Sequence, residues 1–104
     1  MRYDDRVDDV ILKILCTQPS SYLELKREVD FVFSKERLGR GLKGSISFET
    51  FNFHLKGLVT YNKLRREQEE AKRSSRVFYY VTEEVNCYDY RKMRMIVILG
   101  KVSN

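Results

Sequence analysis

The sequence predicts a single α+β domain made of three helices, a two-stranded hairpin and a C-terminal helix. Three observations carry this expectation. Apolar residues recur at helical spacing in three consecutive stretches before residue 60. A dense run of strand formers, VFYYV at 77–81, follows a polar turn. With 104 residues there is room for one core, so all these elements must share it.

The first helix is expected over 5–16. Val7, Val10, Ile11, Ile14 and Leu15 fall at i, i+3, i+4, i+7 and i+8, the pattern of one buried face. Asp4, Asp5, Asp8 and Asp9 crowd its first turns, where carboxylates suit the positive end of the helix dipole. Pro19 ends it, because proline disfavours helix in Gln18 and has no backbone N–H to donate. Ser21 and Glu24 form a capping box, which opens a second helix running to about residue 33. Tyr22, Leu25, Val29 and Val32 or Phe33 face inward from it. A long connection, SKERLGRGLKGSI at 34–46, follows, with three of the five glycines and four Lys/Arg against one Glu.

Ser47 is the expected N-cap of the third helix, about 47–60, whose core face is Phe48, Phe51, Leu55, Leu58 and Val59. Thr50, Phe53 and Gly57 lie on the opposite side, flanked by Glu49, His54 and Lys56. Asn62 stands where the following turn needs a left-handed residue. The hairpin is expected over 64–82, with strands at 64–70 and 76–82 and the polar turn AKRSS between them. In the tail, 83–100, Val85, Tyr88, Lys92, Met95, Ile96 and Leu99 follow helical spacing, and Gly100 sits just past the end; the run MIVIL also fits a strand, and length favours the helix.

The net charge of +5 is unevenly spread. Residues 1–34 hold five Lys/Arg against seven Asp/Glu, 35–82 hold eleven against five, and 83–104 hold four against three. The positive excess therefore lies around the third helix and the hairpin, where it supplies a sequence-independent attraction for phosphates. The longest apolar run, MIVIL, is five residues and far too short to cross a bilayer. The acidic start has no apolar stretch of the kind a secretion signal needs. Cys16 and Cys87 show no metal or redox spacing, so they are expected as reduced, half-buried thiols in a cytoplasmic chain.

The residues argue against catalysis. The one histidine, His54, has no Ser or Cys placed as its nucleophile. GRGLKGS at 39–45 lacks the spacing of a phosphate loop and follows a helix, whereas such a loop follows a strand. No cofactor and no metal site is expected. For nucleic acid the residues fit better. The expected contacts on the third helix are Ser47, Glu49, Thr50, Phe53, His54 and Lys56, with Phe53 packing on thymine methyls and Lys56 and His54 reaching phosphates. The hairpin turn adds Lys72, Arg73, Ser74, Ser75 and Arg76, and the glycine-rich loop adds Arg40 and Lys43. Arg65 and Arg66 point to opposite sides of a strand, so only one of them can join.

The segment SFETFNFHLKGLVTYNKLRRE followed by RSSRVFYYVTEE resembles the recognition helix and wing of prokaryotic winged helix-turn-helix transcription regulators of the MarR, ArsR and PadR-like set. His54-Leu55 with Leu58, and Tyr79-Tyr80-Val81-Thr82-Glu83 at the close of the wing, carry the likeness, which covers about 5–85. Phe53 departs from the pattern where a polar base reader is common, Asn62 replaces the usual glycine, and the loop before the helix is long. The resemblance implies a homodimeric transcription regulator that binds double-stranded DNA. Its terminal helix would supply the dimer contact through Val85, Tyr88, Lys92, Met95, Ile96 and Leu99. The rival expectation is a protein-interaction module of the same fold within a transcription or replication assembly, which an exposed Phe53 and a charge-neutral third helix would suit.

Overall fold

The computed structural model describes residues 5–35, 46–71 and 74–93. In chain order it has α1 (Asp5–Thr17), β1 (Ser20–Ser21), α2 (Tyr22–Lys35), α3 (Phe48–Thr60), β2 (Leu64–Ala71), β3 (Ser74–Val81) and α4 (Cys87–Lys92). The strands form one antiparallel sheet in the order β1-β3-β2, so the α+β class holds and the sheet has one strand more than expected. The extra strand is a consequence of Pro19. Once the chain leaves α1 it is extended, and Ser20 and Ser21 pair with Tyr79 and Phe78 before α2 begins. Ser21 also donates its hydroxyl to the Glu24 carboxylate at 2.9 Å, so one residue joins the sheet and opens the helix.

The expected stripe of α1 is buried in full and packs with Leu25, Val29, Phe51, Leu55, Leu58, Leu64 and Tyr79 into one core. Three helices and the sheet thus share a single apolar centre, the main source of stability in a domain this small. Phe48 is a correction. It is 52% exposed and lies against α2, its ring 4.5 Å from the Lys26 ammonium and 6.3 Å from the Tyr22 ring. At the first turn of α3, its nearest neighbours are these two residues of α2, which stand one turn apart.

The start of α3 is held from two sides. Ser47 caps it, accepting from the Thr50 N–H at 3.1 Å. Asp30 of α2 accepts from the Ile46 N–H at 3.0 Å with one carboxylate oxygen and from the buried Lys26 ammonium with the other. At its far end the Asn62 N–H bonds to the Val59 carbonyl and the Lys63 N–H to the Leu58 carbonyl at 2.8 Å, with Asn62 at φ 61°. This is a Schellman closure with asparagine in the left-handed position. Thr82 then ties the base of the hairpin to that turn, its N–H donating to the Lys63 carbonyl and its hydroxyl to the Asn62 carbonyl.

The tail differs from expectation in two ways. Asn86 caps a helix that begins only at Cys87, and Met93 is already extended, at φ −69° and ψ 126°. The continuous face from Val85 to Leu99 is therefore broken; Met95, Ile96, Leu99 and the expected cap Gly100 lie outside the described residues. The two cysteines are also not free thiols. Cys16 and Cys87 form a disulfide, with Cα atoms 5.3 Å apart. Among the described residues no helix is long and apolar enough to cross a membrane.

Candidate functional site

α3 presents three sides. Phe51, His54, Leu55 and Leu58 face the core, and the outermost positions are Glu49, Phe53, Lys56 and Thr60. The two flanks between core and apex differ sharply in chemistry. Toward the sheet lie two concave regions, of about 670 and 330 Å³, that share Asn52, Arg66 and Tyr79 and so read as one groove. Arg27 of α2, Arg76 of β3 and Lys56 of α3 also line it, against a single carboxylate among the described residues, Glu24. Toward α1 lies a cleft of about 810 Å³ bounded by Phe53, Gly57, Tyr61 and Asp8, with Lys56 and Lys63 at its margin.

The groove follows from strand alternation. Leu64 points into the core, so Arg66, two residues on, keeps the same face and reaches the side of the sheet next to α3. Arg65 points away, pairs with Glu67 at 3.0 Å and lies 5.7 Å from the Tyr80 ring centre. Of the two candidate arginines, Arg66 therefore joins the site. Asn52 is oriented by Tyr22, whose hydroxyl donates to its side-chain carbonyl, which leaves the amide N–H groups for the groove. Arg76 stands at the groove edge and opposite Glu69 in the strand register, where charge neutralisation lessens its pull on a phosphate.

His54 is the clear correction among the expected contacts. It is wholly buried, and its Nδ1 lies 2.8 Å from the Asp8 carboxylate, so it fastens α3 to α1 and reaches no phosphate. Ser47 and Thr50 are occupied with each other at the helix start, their hydroxyls 3.0 Å apart. Phe53 and Lys56 are exposed as expected, and Glu49 sits beside the first turn. Ser74 and Ser75 lie within β3, opposite Ala71 and Glu70, because the strands run further than expected and leave only 72–73 between them. Lys72, Arg73, Arg40 and Lys43 lie outside the described residues. β2 itself carries Glu67, Glu69 and Glu70 against Arg65 and Arg66, so among the described residues the cations gather toward the hairpin base.

Arg27 and Asn52 are the groove residues that sequence reasoning passed over. Asn52 and Lys56 stand one helical turn apart, a visible signal for a shared outward edge. Of the expected dimer contacts, Val85 packs on the core of its own chain, whereas Tyr88 is 63% exposed with the Lys92 ammonium 4.1 Å from its ring. No protein family, curated protein or solved structure matches this chain.

Proposed function

We propose that this chain is a winged helix-turn-helix transcription regulator that binds duplex DNA. In this reading α3 enters the major groove, and the groove beside it holds the phosphate backbone. The observation that carries the reading is the convergence of Arg27, Lys56 and Arg66, from three different elements, around one concave strip next to a solvent-facing helix, with Arg76 at its edge. The element order supports it: a short strand between the first two helices, then a third helix leading directly into a hairpin. α3 has 13 residues, about 20 Å of helix, a fitting size for a groove about 12 Å wide. Phosphate contacts would hold the domain in place, and Asn52 would meet base edges.

The test is the salt dependence of binding to a fluorescent random duplex, followed by anisotropy. Three phosphate contacts, from Arg27, Lys56 and Arg66, give log K a slope of about −2.7 against log salt. A slope near zero overturns the reading. A second reading is a protein-interaction module of the same fold, which the apolar cleft at Phe53, Gly57 and Tyr61 favours. It predicts that Phe53→Ala abolishes capture of a partner while duplex affinity is negligible from the start. Homodimerisation, which the resemblance implies, would on this fold use the exposed Tyr88 on α4; a monomeric mass in sedimentation at micromolar concentration excludes it.

A further inference from the structure

The side of α1 turned away from the Val7, Ile11 and Ile14 stripe carries a second apolar pair one turn apart. Leu12 is 2% exposed and Cys16 is 4% exposed. Leu12 belongs to the same core cluster as that stripe, and Cys16 meets α4. α4 is bonded to that side in four ways. Cys87 is joined to Cys16 by the disulfide, and the Arg91 guanidinium donates to the Cys16 carbonyl at 3.1 and 3.3 Å. The Lys13 ammonium donates to the Tyr90 carbonyl at 2.9 Å, and the Tyr90 hydroxyl to Asp9 at 3.4 Å. Burial and the Asp9 carboxylate push the Tyr90 phenol above its ordinary value, so it stays a donor there.

α4 has little hold of its own. It is six residues long, none of them fully buried, and shorter than any helix that persists alone in water. Among the described residues around it, Val85, Tyr90 and Met93 lean on the core. The hydrogen bonds to α1 sit at a partly exposed surface, where water competes for both partners.

We propose that Cys16–Cys87 is a reversible thiol–disulfide site that clasps α4 to the back of α1, opened by a dithiol reductant. One thiolate of the dithiol attacks the Cys87 sulfur, which belongs to the less buried of the two residues. The S–S bond breaks, and its electron pair goes to Cys16, which takes up a proton. The second thiolate attacks the dithiol sulfur of the mixed disulfide, expelling Cys87 as a thiolate that is protonated in turn. The chain gains two electrons and two protons, and the reductant leaves as a cyclic disulfide. With the covalent tie gone α4 lifts, and Val85, Tyr90 and Met93 become accessible. The remaining core, with Phe51, Leu55, Leu25 and Val29, is untouched. This inference stands independently of the DNA reading.

The experiment compares hydrogen exchange, read by mass spectrometry, in the oxidised chain and in the chain reduced with excess dithiothreitol. Iodoacetamide labelling of a parallel sample counts the thiols. The expected result is two labelled cysteines after reduction and exchange at 85–93 faster by roughly tenfold or more, with α2, α3, β2 and β3 unchanged. The Cys16→Ser/Cys87→Ser double variant should match the reduced chain and ignore the reductant. Equal protection of α4 in both states overturns the proposal. Loss of protection throughout the domain on reduction also overturns it, since the bond would then be a staple of the whole fold. So does a disulfide that resists dithiothreitol in the folded chain.

Discussion

The two flanks of α3 share a helix, and Lys56 borders both, yet they are built for different partners. The sheet-side flank is polar and cationic, assembled from α2, α3, β2 and β3, with Asn52 oriented by Tyr22. The α1-side flank is aromatic and local: Phe53, Gly57 and Tyr61 follow one another at four-residue steps along the same helix. An anionic polymer needs the first kind of surface, because phosphate binding scales with the cations neutralising it. An apolar partner needs the second. The net charge of α3, one Glu against one Lys, distinguishes neither flank, so the neighbouring elements decide which side binds DNA.

The largest expected effect comes from swapping damage between the flanks. Arg27→Ala with Arg66→Ala should lower duplex affinity by roughly a hundredfold at low salt and reduce the salt slope by about 2. Phe53→Ala with Tyr61→Ala should change affinity by no more than about twofold. Anisotropy titrations at three or more salt concentrations read both quantities. If the aromatic pair costs more than the arginine pair, the binding side has been assigned to the wrong flank.

Much of the frame on which these flanks stand was legible in the chain itself. The α1 stripe, the Ser21–Glu24 box, the Ser47 cap, the left-handed Asn62 and the VFYYV strand are all local signals, and each has its expected place. What was not legible depends on contacts between residues far apart in sequence. His54 reads as polar on a helical wheel, and the partner that shows its buried role, Asp8, stands 46 residues earlier. The Cys16–Cys87 bond spans 71 residues, although Leu12 and Cys16 together already hinted that the back of α1 is covered. Ser20–Ser21 is too short for any periodicity to reveal a strand. In the tail, a local signal overrode helical spacing: the Asn86 side chain accepts from the Tyr88 and Asp89 N–H groups and starts the helix late. Arg66 needed the fold as well, because alternation shows that it opposes Arg65 but not which of them meets α3.

Asp8 makes a second, smaller contrast between the flanks. It lines the aromatic cleft and also holds the buried His54 beneath it. Asp8→Ala leaves the His54 Nδ1 without that acceptor and should cost about 2 kcal/mol in urea unfolding. Duplex affinity of the folded fraction should stay as it was, because the groove lies on the other flank. A parallel loss of affinity in fully folded protein would mean that α3 is positioned for DNA through α1, coupling the two sides.

The smallest effect is also the sharpest probe of the cleft. A Cβ built at Gly57 meets nothing within 4 Å, so alanine fits there without displacing a neighbour. Glycine inside a helix costs backbone entropy that alanine does not, and Gly57→Ala should stabilise the domain by about 1 kcal/mol. In a domain of this size that gain raises the Tm by roughly 5 °C. The methyl group narrows the space between Phe53 and Tyr61 and leaves every residue of the basic groove in place. Higher Tm with unchanged duplex affinity therefore fits a cleft that takes no part in DNA binding. Higher Tm with weakened affinity, in a chain whose groove arginines are intact, would put the DNA against the aromatic flank.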